Sequence, residues 1–427
     1  MRKPVALLTA AAIMTTMMTT LVPTYASTDT GDEITLKLFH RYATDSQTAF
    51  MDEIIAAYEE QNPNIHIEVS TSGRDEYRDK LKVVLGSNDI PDVFFSYAYE
   101  NVNEIIREGK CLPLTEYYEA DTEWQDYYIN GVLDGYTYDG DLYGAPYRVS
   151  ISIIMYNKDY YEQLGLEVPK TMDELFENCK ALQDAGIQPF TFGNAEQWPA
   201  PQWIGAFNDK LVDPGVLATD YALEGDWSDE GYLKAFELMS EMLSYGSEDV
   251  NSKTFSIAEE EFASGTAAMM WTESVAVGDI TTLNPDCNFG CFAIPSIPDG
   301  AGDNTGVQGG PEGFVVSADT EYPEEAAKLV KYLSSPEVGA KMIASELNWF
   351  NGAAGVVDMS SSEDLTPIQQ AYTYLENSTG LLAFLDTAMN SSVANDYIAQ
   401  MQSFIDGGVS AEEVMASVRE ESEFFKE

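Results

Sequence analysis

Between a turn at Asp139-Gly140 and a helix that starts near Thr171 lies one apolar run, Val149 to Tyr156, rich in β-branched residues. Gly140-Asp141-Leu142-Tyr143-Gly144-Ala145-Pro146-Tyr147 leads into it, and Tyr156-Asn157-Lys158-Asp159 leads out into helical patterning. The stretch therefore reads as a long buried strand that feeds a new unit. A strand that leaves one compact body and enters another is a hinge, and few features restrict a fold more. Chain length agrees, because 427 residues exceed what a single hydrophobic core usually grows to. Two lobes are the expectation.

Ahead of the crossover, strands and helices alternate. Ile34 to Phe39 reads as a strand, and Phe50, Ile54, Ile55 and Tyr58 recur at helical spacing after a cap at Asp45-Ser46, until Pro63. Ile65, Ile67 and Val69 alternate as a second strand, and a helix through Tyr77 and Leu81 closes at Gly86. Val93 to Tyr97 is a third strand, and its helix ends at Gly109. This alternation predicts a mainly parallel sheet covered by helices. Ligands of such sheets lie beyond the carboxyl ends of strands, which points to Phe39-His40-Arg41 and Tyr97-Ala98-Tyr99-Glu100.

Beyond the crossover, Thr171 and Glu174 form a capping box for a helix that Gly186 closes. Ile187 to Phe192 is a strand that runs into the aromatic loop Gly193 to Trp203, and Ser228 opens a strong amphipathic helix. Phe262 to Trp271 is a helix end passing into a strand, and the segments 323–334, 336–347, 366–377, 393–406 and 410–424 are helical.

Several of these segments together resemble one family. The Gly-Ala-Pro-Tyr turn, the crossing strand, Tyr156-Asn157-Lys158-Asp159, Leu164-Gly165-Leu166 and Pro169-Lys170-Thr171 resemble the crossover of bacterial extracellular solute-binding proteins of the maltose-binding-protein-like kind. Phe262 to Trp271, Phe292-Ala293-Ile294-Pro295 and Gly309 to Ser317 are similar to later segments of the same family. The resemblance implies an α/β, periplasmic-binding-protein-like fold of two lobes joined by a hinge with several chain crossings. It divides the chain into lobe 1 at 27–147 and 305–346 and lobe 2 at 148–304 and 347–427. It also implies partnership with the permease subunits of an ABC importer. Carried over residue by residue, cleft roles fall on His40, Arg41, Tyr97, Glu100, Tyr147, Trp198, Trp271, Gly310 and Trp349. Some relatives hold a carboxylate at the crossover position where this chain has Ser150.

The N-terminus reads as a leader. Arg2 and Lys3 precede an uncharged, mostly apolar run from Val5 to Val22, and Thr24-Tyr25-Ala26 supplies small residues for cleavage, so residues 1–26 are expected to be a signal peptide. Gram-positive members of the family carry a cysteine at that site for lipid attachment. Here the first cysteine is Cys111, so free export is the expectation. A formal charge of −50 opposes any nucleic-acid or anionic-lipid partner. The four cysteines are too scattered for a disulfide scaffold. Cys287 and Cys291 could pair only through a turn at Asn288 to Gly290.

No HExxH, GxSxG, SxxK, CxxC or phosphate-loop pattern occurs, and neither metal nor cofactor is called for. A pyranose presents an apolar C–H face and a rim of hydroxyls, so its site needs flat rings beside planar donors and acceptors. Trp198, Trp203, Trp271, Trp349, Tyr97, Tyr99 and Tyr147 lie at expected strand ends or loops. Near them stand His40, Arg41, Glu100, Asn194, Glu273 and Glu312. The reading is a monomeric, non-catalytic receptor for a neutral oligosaccharide. Two alternatives stay open: a secreted hydrolase using a carboxylate pair, and an acidic surface scaffold, which would carry repeats or an anchor.

Overall fold

The structure, a computed structural model, describes residues 33–87, 89–247, 249–358 and 365–426. The expected leader, residues 1–26, lies outside them. Among the described residues no helix is long and apolar enough to cross a membrane.

Among the described residues eleven strands follow in chain order. They are β1 (Ile34–His40), β2 (Ile65–Thr71), β3 (Val93–Tyr97), β4 (Thr137–Tyr138), β5 (Asp141–Leu142) and β6 (Gly144–Asn157). Then come β7 (Gln188–Thr191), β8 (Ala267–Glu273), β9 (Phe289–Ala293), β10 (Val307–Val316) and β11 (Leu381–Ala383). Nine of them form one curled sheet in the order β2-β1-β3-β10-β6-β8-β7, with β11 on β10 and β9 on β6. β4 and β5 make a separate ribbon.

The crossing strand is β6. Its first half, Gly144 to Ile151, pairs with β10, while Ser152 to Asn157 pairs with β8 and β9. One backbone thus belongs to the sheets of both lobes. β10 returns alongside it, and because one strand leaves the first lobe while the other comes back, the two run antiparallel. The three strands ahead of the crossover pair in parallel, as their alternation with helices predicts, but the sheet as a whole is not mainly parallel. Parallel pairing is confined to β2-β1-β3, β7-β8 and β10-β11, and the strands at the centre are antiparallel. A register shift between Glu312 and Gly313 bends β10 where it crosses. At Gly313 a Cβ would stand 2.0 Å from the Ala145 carbonyl oxygen, so only glycine permits that approach.

The helical spacing read from the sequence becomes packed faces. Phe50, Ile54 and Tyr58 of the helix Asp45–Gln61 join Leu36, Leu38 and Phe94 in a first core. Residues of Pro323–Leu333 complete it, so the chain after β10 returns to this lobe. A second core gathers Phe176, Phe190, Phe207, Phe236, Tyr397 and Val414. A third, containing Val149, Ile151, Ile153, Phe262 and Tyr372, lies on the crossing strand. Caps are mostly where sequence places them, including the Thr171–Glu174 box. The first helix differs: its cap is Thr44, whose extended backbone aims its hydroxyl at the Gln47 amide, while Asp45 already belongs to the first turn. The helix expected from Ser228 is capped instead by Asp229, whose carboxylate accepts from Gly231 N, and runs Glu230–Leu243. All four cysteines are free.

Candidate functional site

A cleft of about 680 Å³ opens between the lobes over the two crossing strands. Its floor is charged, and its two arginines share one carboxylate. Arg41, just past the end of β1, donates from Nη2 to both oxygens of Glu312 at 2.7 Å. Arg148 of β6 donates to Oε2 of the same carboxylate, also at 2.7 Å. Burial works against the Arg41 charge, but Glu312 together with Tyr97 and Tyr42 outweighs it, so the guanidinium is held above its ordinary value. Both cations also stack. The Arg41 guanidinium lies 5.1 to 5.3 Å from the ring centres of Tyr42, Phe95 and Tyr97, and that of Arg148 lies 4.3 Å from Trp349.

The first-lobe wall carries Tyr97, Tyr99 and Arg78. Arg78 projects from the helix Arg74–Leu85, exposed, with its guanidinium 4.6 Å from the Tyr97 ring centre. Tyr99 holds φ at +58°, an uncommon value for a bulky residue, fixed where its N–H donates to the Gly135 carbonyl at 2.7 Å. The second-lobe wall carries Glu273 at the end of β8, held by the Ser150 hydroxyl and by Gln202 Nε2 at 2.7 Å. Trp198 caps the helix Pro199–Leu211, with its ring against Phe255 at 4.7 Å. Residues preceding proline avoid the helical region. Trp198 nevertheless takes φ −72°, ψ −22°, directly after Gln197 at φ +72°, so this corner is a constrained one. Phe384 and Asp386 complete the wall. Burial and then Glu273 push the Asp386 carboxyl up to about 6, with Arg78 pulling the other way.

The cleft thus brings together Arg41, Tyr97, Tyr99, Trp198, Glu273, Gly310, Glu312 and Trp349 of the residues named from sequence. The others lie elsewhere. His40 and Tyr147 each precede an arginine that reaches the cleft, and strand alternation turns them to the opposite face, into the first core. There Tyr42 N donates to His40 Nδ1 at 3.2 Å, and burial pushes the imidazole down to about 4. Trp203 faces the second core against Phe192, because Trp198 and Gln202, four apart, share the other face of the helix. Trp271 sits deeper on β8 than Glu273, against Phe207, and donates from Nε1 to the Ser152 hydroxyl at 2.7 Å. Asn194 is fully buried, holding Ala200 N and Asn251. Glu100 turns along its own helix to pair with Arg107.

Arg78, Arg148, Gln202, Phe255, Phe384 and Asp386 were not singled out from sequence. Two signals were available: strand alternation lets only one of Tyr147 and Arg148 face the cleft, and residues 378–392, between two helical segments, hold an aromatic and an acid.

The family described as bacterial extracellular solute-binding protein matches residues 43–340. The chain belongs to that family. Among relatives of this solute-binding protein, an uncharacterized ABC transporter extracellular-binding protein of Pyrococcus horikoshii is 27% identical over 327 residues, covering 74% of this chain and 72% of the relative. The melibiose/raffinose/stachyose-binding protein MelE of Bacillus subtilis is 24% identical over 348 residues, covering 78% and 77%. A solved structure from work on xylan utilization by Caldanaerobius polysaccharolyticus superposes with a TM-score of 0.76 at 23% identity, covering 90% of this chain and 99% of that one. That likeness is one of fold.

Proposed function

We propose that this solute-binding protein captures a neutral saccharide, an oligosaccharide rather than a single sugar, between its lobes and delivers it intact to the permease subunits of an ABC importer. One observation carries the reading. Half-buried rings, Trp198 and Phe255 on one wall and Tyr97 and Tyr99 on the other, face planar hydrogen-bonding groups across a single cleft. Rings of this kind take the C–H faces of a pyranose, and groups such as Gln202, Glu273 and Arg78 take its hydroxyls. The name of the Bacillus subtilis relative supports the same ligand class.

Several further features belong to this proposal. The protein is exported by a cleaved leader at residues 1–26, acts as a monomer, and is not an enzyme. Its lobes divide near 147/148, 304/305 and 346/347, and β6 and β10 connect them. Around those strands the lobes close on ligand. The test is a thermal-shift screen against neutral mono- and oligosaccharides headed by melibiose, raffinose and stachyose. A cognate sugar at hundredfold excess over Kd should stabilise the protein by about 2.7 kcal/mol and be recovered chemically unchanged. No stabilisation by any panel sugar, or steady release of cleaved products, would overturn the reading.

A further inference from the structure

The cleft residues Phe384 and Asp386 come from a stretch beyond the family match, which ends at 340. β11 runs along the edge of β10, and the short helix Leu385–Ala388 follows at once, so Phe384 and Asp386 enter the second-lobe wall from one tight corner. The seat of the Phe384 ring depends on Gly310. A Cβ at position 310 would stand 3.1 Å from Phe384 Cδ2, and with only a hydrogen there the ring lies directly on β10.

Asp386 stands two residues further on. Its Oδ1 is buried and has no hydrogen-bond partner within the chain. Buried acceptors are nearly always satisfied, so one left open on the wall of a cleft asks for a donor from outside. Glu273 differs, since each of its oxygens already accepts a hydrogen bond within the chain, from Ser150 and from Gln202.

The geometry points to Phe384 and Asp386 as a single sugar subsite, in which the ring carries the apolar face of one unit and Asp386 accepts from a hydroxyl of that unit. This deepens the saccharide reading above and rests on it. The charged groups that share the cleft with Asp386 are Glu273 from β8, Arg78 from the helix Arg74–Leu85, Asp279 from the helix Ala276–Leu283, and the Arg41–Glu312–Arg148 trio on the floor. Burial and Glu273 oppose its ionisation and Arg78 favours it, leaving the carboxyl titrating at about 6 in the free protein. A donated hydroxyl favours the ionised form, so ligand lowers that value. Affinity is then full well above pH 6 and falls as pH drops through it.

The experiment uses the full chain and, as probe, the panel sugar that stabilises the wild type most. Calorimetric titration at pH 7.5 should show Asp386→Ala and Phe384→Ala each weakening binding about tenfold, the loss of one charge-assisted hydrogen bond or one stacked ring. Asp386→Asn keeps the shape and removes the titration. Its affinity should stay level between pH 7.5 and 5.0 while that of the wild type falls severalfold. Unchanged affinity in Asp386→Ala, or a wild-type pH slope retained in Asp386→Asn, would mean that water serves the open oxygen, and the subsite would fall alone. If no panel sugar binds the wild type, the saccharide reading falls and the subsite with it.

Discussion

Removing the charge of Glu312 should injure this protein more than removing either arginine it holds. The side chains of Arg41, Arg148 and Glu312 are 6%, 8% and 14% exposed, so solvent screens the trio little. Glu312→Gln keeps the shape but leaves two stacked guanidinium groups facing each other without their counter-charge. Breaking a buried ion pair from one side costs about 3–5 kcal/mol, because the remaining charge is stranded. Arg148→Gln leaves the two-pronged Arg41–Glu312 pair intact. It forfeits one charge-assisted hydrogen bond and the contact with Trp349, about 2 kcal/mol together. Urea denaturation at pH 7, followed by tryptophan fluorescence, should therefore place the Glu312→Gln midpoint clearly below that of Arg148→Gln. The reverse order would refute the argument, since it would mean that the arginines are stabilised by their ring contacts and not by the shared carboxylate.

Trp198→Ala should weaken sugar binding about tenfold, or about 1.4 kcal/mol, with little change in apo melting temperature, since the half-buried ring rests mainly on Phe255. Trp271→Ala should instead lose about 3–5 kcal/mol of stability in the same melting assay, because it empties part of the second core and strands the Ser152 hydroxyl. Asp209 offers a pH test: burial, with Asp303 adding and Lys210 opposing, pushes its carboxyl up to about 8, and its Oδ2 has no partner in the chain. A folded value above the unfolded one of about 3.9 makes stability complete at pH 4 and draws it down as pH rises towards 8. Asp209→Asn should therefore melt higher than wild type at pH 8.5 and together with it near pH 4; coincident melting at pH 8.5 would contradict the assignment.

The two-lobed plan was legible because its causes are local. Period-two and period-3.6 patterns, the Thr171–Glu174 box and the closing glycines each record a preference that a few neighbouring residues enforce. The run from Val149 to Tyr156 shows itself as a crossing strand because a strand covered on both faces is largely apolar, here broken only by the small residues Ser150 and Ser152. Direction within the sheet was not legible. Nothing short-range records that β10 comes back along β6, so the alternation of strands and helices overstated the parallel pairing.

For the site, sequence determined the neighbourhoods, and tertiary structure decided which residue of each neighbourhood faces the ligand. His40 and Arg41, Tyr147 and Arg148, and Trp198 and Trp203 are close in sequence and similarly equipped for sugar chemistry. In each pair one member lines the cleft and the other packs in a core. A strand turns successive side chains to opposite faces and a helix turns each by about 100°, so one step along the chain exchanges ligand for core. Which face meets the cleft depends on where the other lobe lies, and that is fixed by contacts between residues far apart in sequence. Arg41 reaches Glu312 across 271 positions, and the seat of Phe384 is made by the missing side chain of Gly310.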